Sequence, residues 1–148
     1  MDALKIDLEI VTPERLVLSE TVDEVVLPGS EGYLGVLPGH APLLTGLGPG
    51  ELTYRASGKT RHFAVAGGFA EVLPHRVSVL AATCERAEEI DEERARADRE
   101  SARADIARTE IGEAAIARAA YRLRRAEARL AVARRAPAPG ATDARAGR

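Results

Sequence analysis

The feature of this 148-residue sequence that most constrains its fold is a change of composition after Arg86. Of the 32 Leu, Ile and Val residues, 25 lie in residues 1–86, whereas 20 of the 28 alanines lie beyond them. Large aliphatic and β-branched residues favour strands, and Ala favours helices. The sequence therefore predicts an α+β protein with a β domain over residues 1–86, helices over residues 87–135 and a disordered tail over residues 136–148.

Short apolar runs separated by turn formers fill the first domain. Between Leu4 and Ile10, aliphatic and charged residues alternate, which places the aliphatic side chains on one face of a strand. Pro and Gly residues separate the later runs, and the Gly67-Gly68 pair is expected to end one strand before Phe69 begins the next. Roughly nine short strands at this spacing predict a β-sandwich or flattened barrel.

The residues beyond Arg86 predict two helices. No Pro or Gly interrupts the chain between Arg86 and Gly112 or between Gly112 and Pro137, so helices are expected over Asp91–Thr109 and Glu113–Arg135. The short break between them predicts an antiparallel hairpin. Large and small apolar residues recur every seven positions in the second helix and predict a seam for a partner helix. The seam consists of Ile116, Leu123 and Leu130, with Ala119, Ala126 and Ala133.

The two helices carry opposite charge. Residues 88–113 hold ten acidic and five basic side chains, whereas residues 114–135 hold seven arginines and one glutamate. Opposite charge favours pairing of the helices with each other, but each exposed pair contributes only about 0.3–0.5 kcal/mol. The second helix is therefore also expected to be able to leave the first for another acidic surface, which makes the hairpin a candidate two-state element.

Composition disfavours several classes of function. The net charge of −2 and the aromatic content of 3% argue against a nucleic-acid binder, because such proteins need basic surfaces and stacking side chains. The amino terminus lacks the basic and apolar segments of a signal peptide, and no apolar run approaches the roughly 20 residues of a membrane helix. The sequence therefore predicts a cytoplasmic protein that meets membranes only through partners.

No catalytic or metal-binding pattern stands out in the sequence. The histidines His40, His62 and His75 lack the spacing of metal ligands, and phosphate-loop and serine-elbow motifs are absent. Cys84 is the one cysteine and has only Arg86 as a basic neighbour, so we expect an inert small side chain. We expect no metal site, no catalytic residue and no enzyme that acts alone.

Three stretches carry a more specific pattern. The first reads G-S-E-G-Y-L-G-V-L-P-G-H-A-P-L-L over residues 29–44, the second reads G-G-F-A-E-V over 67–72, and the third reads I-D-E-E-R-A over 90–95. Together they closely resemble the epsilon subunit of bacterial F-type ATP synthase, called delta in mitochondria, over about residues 4–135. The resemblance implies an antiparallel β-sandwich of about ten strands followed by a two-helix hairpin.

The resemblance also implies a role and partners. A member of this family is a rotor subunit of the central stalk at the cytoplasmic face of the bacterial membrane, and it couples proton flow through the c-subunit ring to ATP synthesis. Its sandwich binds the gamma subunit and rests on the c-ring. By position in the first stretch, Glu31, Tyr33 and His40 would face that ring.

The helical hairpin has a regulatory role in the family. It either folds against the sandwich or extends into the catalytic alpha/beta hexamer, where it inhibits ATP hydrolysis. In this sequence the expected inhibitory residues are the arginines Arg122, Arg124 and Arg125 of the basic second helix.

The third stretch implies regulatory ATP, because some epsilon subunits bind ATP through this motif. The candidate contacts in it are Ile90, Asp91, Arg94 and Ala95. Arginines of the second helix complete the site in the family, and Arg125 and Arg129 correspond to them at a spacing that places both on one helix face. A simpler interpretation stays open, in which Asp91 is a helix N-cap and the arginines form a solvated surface.

Two other interpretations of the whole chain also stay open at this point. A stand-alone ATP-sensing β-sandwich with a helical lid would bind ATP without a partner, whereas a rotor subunit must co-purify with a gamma-like subunit. A nucleic-acid binder that uses the Arg-rich second helix would show an affinity that falls steeply with salt.

Overall fold

The computed structural model describes residues 4–108 and 110–135. Eight strands precede a short 3-10 helix and two α-helices, so the α+β prediction is confirmed. The strands are β1 (Ile6–Val11), β2 (Leu16–Val22), β3 (Glu24–Gly29), β4 (Gly32–Val36), β5 (Leu43–Gly46), β6 (Gly50–Ala56), β7 (Lys59–Leu73) and β8 (Arg76–Arg86). The helical elements are the 3-10 helix Ala87–Glu89, α1 (Glu92–Ala107) and α2 (Glu113–Ala133). The predicted tail over residues 136–148 lies outside the described residues.

One continuous sheet encloses the hydrophobic core. Its strand order is β2-β1-β8-β7-β6-β3-β4, and β5 pairs with the second half of β7. β7 is 15 residues long and pairs with β6 along its first half, so it belongs to both halves of the sandwich. The alternation predicted for the first strand is present from Ile6 onward, because Ile6, Leu8 and Ile10 are buried in the core while Asp7 is exposed. Leu4 precedes β1 and is exposed, so the prediction was wrong for this residue.

The described residues form eight strands, which roughly matches the expectation of nine to ten. In the described residues the Gly67-Gly68 pair lies inside β7 and does not separate two strands. Both glycines have a positive φ, 72° and 98°, which only glycine adopts without strain. This backbone conformation reverses which side chains face the core, and the pairing register between β7 and β8 is unchanged across it.

The sequence predicts an antiparallel sandwich, but one pair of strands in the sheet is parallel. β1 pairs in parallel with β8 and lies between β8 and β2. A parallel pair needs a long connection between its strands, and here the intervening strands of the sandwich supply it. The remaining strand pairs in the described part of the chain are antiparallel.

The helices start where local signals place them. The Asp91 carboxylate caps α1 by accepting a hydrogen bond from the Arg94 backbone N–H at 3.1 Å. α1 ends at Ala107, before the expected Thr109, which lies outside the described residues, and α2 ends at Ala133, two residues before the expected Arg135. Neither helix in residues 4–108 and 110–135 combines the length and the apolar character that crossing a bilayer requires.

α2 packs against α1 on one side and against β6 and β7 on the other. Four residues of the predicted seam are buried, namely Ala119, Ala126, Leu130 and Ala133. Leu123 is half-buried, and Ile116 is exposed because it lies in the first turn of α2, next to the connection from α1. The hairpin is therefore folded against the sandwich, with small residues at the close contacts.

Candidate functional site

Exposed apolar side chains form a row across the outer face of the sheet. Val11 of β1 pairs with Leu16 of β2 on one side and with Leu80 of β8 on the other, and Leu80 in turn pairs with Phe69 of β7. Leu44 of the neighbouring strand β5 lies on the same face. Phe69 is 61% exposed and Leu80 is 57% exposed. We call these five residues the apolar row, and exposed apolar surface of this kind marks an interaction site.

Simple alternation along the sequence does not predict the apolar row, because two glycines interrupt β7. Phe63 and Val65 face the core, and simple alternation would continue this series to Phe69. The reversal at Gly67-Gly68 instead turns Phe69 outward, and Ala70 takes the place in the core. The available signal was the glycine pair itself, since two adjacent glycines inside an apolar run indicate a backbone irregularity.

The three residues expected to face a c-ring lie on and around β4. Glu31 lies in the turn before β4, whereas His40 lies in the loop after it, four residues beyond the end of the strand. Tyr33 lies on β4 near Glu31 and is 65% exposed, and its hydroxyl accepts a hydrogen bond from the Glu51 N–H at 3.0 Å. His40 donates from Nδ1 to the carbonyl oxygen of Ala41 at 2.7 Å.

α2 lies on a strip of small side chains on β7. Ala64 and Ala66 are buried although they do not belong to the sandwich core, because α2 covers them. A Cβ added at Gly67 would lie 3.5 Å from the Tyr121 hydroxyl, so the one aromatic residue of the helices lies against the sheet. Small residues on both surfaces allow helix and sheet to approach closely but bury little apolar area.

Arg129 of α2 joins three elements. Its Nε and Nη2 donate hydrogen bonds to both carboxylate oxygens of Glu85 on β8, at 2.8 and 3.1 Å. Its Nη1 lies 3.8 Å from Oδ2 of Asp98 on α1. Only 11% of the Arg129 side chain is exposed, so this bidentate pair is shielded from water and salt.

A second charged contact lies at the carboxyl end of α2. Nε of Arg135 is 3.2 Å from Oε1 of Glu51 on β6, and the same oxygen is 2.7 Å from Nδ1 of His62 on β7. Arg135 is largely exposed, whereas Glu51 and His62 lie in the half-buried surface beside the helix. This contact is therefore weaker than a shielded pair would be.

The linker between sandwich and hairpin, which comprises residues 86–91, is bound to the sandwich by side-chain contacts. Nη2 of Arg15 donates to both carboxylate oxygens of Glu89 at 3.0 and 2.9 Å, and the hydrogen bond and negative charge of Glu89 raise the pKa of Arg15. Arg86 donates from Nη2 to the carbonyl oxygen of Val17 at 3.0 Å, with its guanidinium 5.6 Å from the Phe63 ring centre.

Three of the six candidate nucleotide contacts already have roles within the protein. Asp91 caps α1, Ala95 is buried between the helices, and Arg129 is paired with Glu85. The remaining candidates are the half-buried Ile90 and the exposed Arg94 and Arg125. A phosphate at Arg129 would have to displace the Glu85 carboxylate, because Glu85 occupies the fork of its guanidinium.

The three arginines expected to inhibit hydrolysis differ in environment. Arg122 joins α2 to α1, donating from Nη1 to Asp105 at 2.8 Å and from Nη2 to Ser101 at 3.0 Å. Arg124 and Arg125 are exposed on the outer side of α2. In the closed hairpin, a partner can therefore reach the last two directly, whereas Arg122 must first leave its intramolecular contacts.

The described residues contain no cluster of three or more His, Cys, Asp or Glu side chains that could hold a metal ion. Cys84 is buried in the core, and burial together with the negative charge of Glu89 raises the pKa of its thiol to about 12. A neutral buried thiol is a poor nucleophile. Among the described residues, the arrangement therefore supplies surfaces for binding.

Comparison with known proteins identifies relatives of this chain. The family model for the β-sandwich domain of the ATP synthase delta/epsilon chain matches residues 5–87. The ATP synthase epsilon chain of Chloroflexus aggregans is 56% identical over 99 residues, which cover 67% of this chain and 71% of that relative. The epsilon chain of Herpetosiphon aurantiacus is 60% identical over 92 residues, covering 62% and 68% of the two chains.

Solved structures show the same fold. A chain of the mitochondrial ATP synthase of Euglena gracilis, in an assembly of OSCP, F1 and c-ring, is 29% identical with a TM-score of 0.73, and the match covers 84% of this chain and 79% of that one. A chain of the central stalk and c-ring of the Tetrahymena thermophila enzyme matches with a TM-score of 0.55 at 16% identity, covering 91% and 98%, and supports the fold alone.

Proposed function

Because this chain belongs to the delta/epsilon chain family of ATP synthase, we propose that it is a central-stalk rotor subunit of an F-type ATP synthase at the cytoplasmic face of a bacterial membrane. In this role it couples proton flow through the c-ring to ATP synthesis and restrains ATP hydrolysis through its C-terminal helices. The chain itself performs no chemistry, which belongs to the catalytic alpha/beta hexamer. The observation that carries the proposal is the exposed apolar row on the sandwich.

The apolar row supports an obligate protein partner, which we assign as the gamma subunit. The row crosses five neighbouring strands, so it presents a continuous rigid surface. Large apolar side chains such as Phe69 and Leu80 gain free energy when a partner removes them from water, at about 25 cal/mol per Å². A long helical stalk laid across the strands would cover such a row.

The c-ring contact is assigned to the β3–β4 turn with Glu31 and the nearby Tyr33. Both side chains are exposed, and the hydrogen bond to Glu51 holds the Tyr33 ring in place. His40 belongs to the other end of β4, so it would contact the ring only if the ring subunits reach both ends of this strand.

The hairpin is assigned the inhibitory role. α2 presents Arg124 and Arg125 to solvent, and Arg122 becomes available when α2 separates from α1. A helix of this charge is suited to an acidic segment of the catalytic hexamer, because opposite charges both steer and hold such contacts.

Regulatory ATP remains part of the proposal in a restricted form. Nucleotide would bind between the start of α1 and the arginines Arg125 and Arg129, and it would compete there with Glu85. The stand-alone ATP sensor is disfavoured, because the shielded Arg129 guanidinium already has a carboxylate partner in the closed form.

The test of the proposed function is capture of the enzyme from native membranes. The tagged full-length chain, expressed in its own organism, is purified from membranes in mild detergent, and the recovered proteins are identified by mass spectrometry. We expect the gamma subunit, the c subunit and the alpha and beta subunits. The control is the same chain with Phe69→Ser and Leu80→Ser, which keeps the fold and should recover much less gamma. Recovery of none of these subunits by the parent chain would overturn the proposal.

A further inference from the structure

The contacts that hold the hairpin against the sandwich differ greatly in how well they are shielded. The helix covers small side chains of β7, and Leu130 and Val132 of α2 are themselves buried. The Arg135–Glu51 contact lies at the helix end with its arginine largely exposed. By contrast, the bidentate pair of Arg129 and Glu85 is nearly enclosed.

The Glu85–Arg129 pair joins the sandwich to the hairpin. Glu85 belongs to β8 of the sandwich, whereas Arg129 belongs to α2, so the pair exists only while the hairpin is closed. Asp98, the other neighbour of Arg129, lies on α1 and moves with the hairpin. After opening, Arg129 therefore still has the Asp98 carboxylate beside it, whereas the Glu85 carboxylate becomes exposed to water.

We propose that the Glu85–Arg129 ion pair is the latch that holds the helical hairpin against the β-sandwich, and that losing this pair releases the hairpin. Removing one partner leaves the other group without its bidentate partner in a shielded site of the closed form, whereas in the open form water can reach both groups. Losing the pair therefore destabilises the closed form relative to the open form. The regulatory meaning of the latch rests on the proposed function, but its action on the hairpin is a property of the free chain.

The linker restricts where the hairpin turns when the latch opens. Arg86 is bound to Val17 and Glu89 is bound to Arg15, so the chain up to Glu89 stays with the sandwich. Ile90 and Asp91 follow with extended backbone conformations before α1 begins. Rotation about these two residues moves the hairpin as a unit, because the contact between Arg122 and Asp105 keeps α1 and α2 together.

The test is a distance measurement between sandwich and hairpin in the full-length chain. Spin labels are attached at Thr60→Cys before the β7 core segment and at Ala104→Cys on α1, both of which are exposed positions. The native Cys84 stays unlabelled because it is buried and its thiol is neutral. Double electron–electron resonance then gives the ratio of open to closed hairpins.

We expect one short distance in the labelled parent and a second, longer distance in the variants Glu85→Gln and Arg129→Gln. The open-to-closed ratio should rise about tenfold or more in each. Glu85→Asp, which keeps the charge, should open the hairpin less than Glu85→Gln. The matched control is Arg118→Glu, a charge reversal on the exposed side of α2, which should leave the ratio unchanged.

Two results would overturn the latch. The first is that Glu85→Gln and Arg129→Gln open the hairpin no more than Arg118→Glu does. The second is that Glu85→Asp opens the hairpin as far as Glu85→Gln does, which would assign the effect to packing and not to the charge of the pair. Circular dichroism on each sample shows whether the sandwich is folded. Since the measurement needs no partner, a chain that fails to recover gamma but opens as expected would refute the proposed function and leave the latch standing.

Discussion

Gly68 of β7 lies against the backbone of Leu80 on β8, so closely that a Cβ at position 68 would be 1.9 Å from the Leu80 carbonyl oxygen. Gly68 also has a φ of 98°, which residues with a Cβ rarely adopt. Both facts place at Gly68 the backbone irregularity that reverses which side chains of β7 face the core. This reversal turns the neighbouring Phe69 outward.

The variant Gly68→Ala should therefore destabilise the sandwich strongly. The close approach and the backbone strain both act against it, and we expect the free energy of unfolding to fall by about 3 kcal/mol or more. Urea unfolding followed by circular dichroism measures this loss. Gly35→Ala is the matched control, since a Cβ at Gly35 meets no atom within 4 Å, and it should be nearly neutral. Equal stability of the two variants would contradict the assignment of strain to Gly68.

Replacing the centre of the apolar row should weaken partner binding without unfolding the chain. In the variant Phe69→Ser with Leu80→Ser, two exposed side chains are changed, so the thermal unfolding midpoint should stay close to that of the parent. The dissociation constant for purified gamma should rise by about 100-fold, because central aromatic and aliphatic contacts dominate protein interfaces. Leu4→Ser changes an exposed apolar residue outside the row and serves as the control. Unchanged affinity of the double variant would place the gamma contact elsewhere.

Truncation after Arg86 should leave a folded sandwich that still assembles. The core residues of the sandwich lie in the strands, and the helices cover only an outer strip that includes Ala64 and Ala66. Cooperative thermal unfolding by circular dichroism and recovery of gamma are the measurements. A truncated chain that shows no cooperative transition would mean that the helices are needed for the fold.

Removing the exposed arginines of α2 should raise ATP hydrolysis by the assembled enzyme. Arg124→Ala with Arg125→Ala removes two solvent-exposed charges, and adding Arg122→Ala should increase the effect, since this residue becomes available when α2 separates from α1. We expect hydrolysis to rise severalfold while synthesis changes little, and added salt should have a similar effect on the parent because it screens such pairs beyond about 8–10 Å. If deleting the whole hairpin releases activity and the triple variant does not, the arginines are not the inhibitory contact.

The buried thiol of Cys84 should make the protein sensitive to alkali. Burial raises its pKa from 9.0 to about 12 in the folded chain, so the unfolded chain loses the proton first as pH rises. The contribution of the neutral thiol to the free energy of unfolding is fully present below pH 9 and is lost as the pH rises toward 12. About 1 kcal/mol of it is lost near pH 10. Urea unfolding at pH 8 and pH 10 measures the loss, and Cys84→Ala should flatten this dependence. The same slope in the alanine variant would assign the effect to other groups.

Features that depend on local patterns could be predicted from the sequence. The change of composition after Arg86 predicted strands followed by helices, and alternation between Leu4 and Ile10 predicted which side chains of β1 enter the core. Gly112 marked the start of α2, and Asp91 was identified as a possible N-cap of α1. Such signals are readable because strand alternation, helix propensity and capping act over a few residues.

The tertiary structure decided the features that join distant parts of the chain. Glu85 and Arg129 are 44 residues apart, and nothing near either residue indicates that they pair. Likewise, the outward orientation of Phe69 depends on the backbone of Gly68 against Leu80, and the apolar row exists only because β1 lies between β2 and β8. Long-range pairing is set by the balance of burial and hydrogen bonding over the whole sheet, which local sequence patterns do not contain.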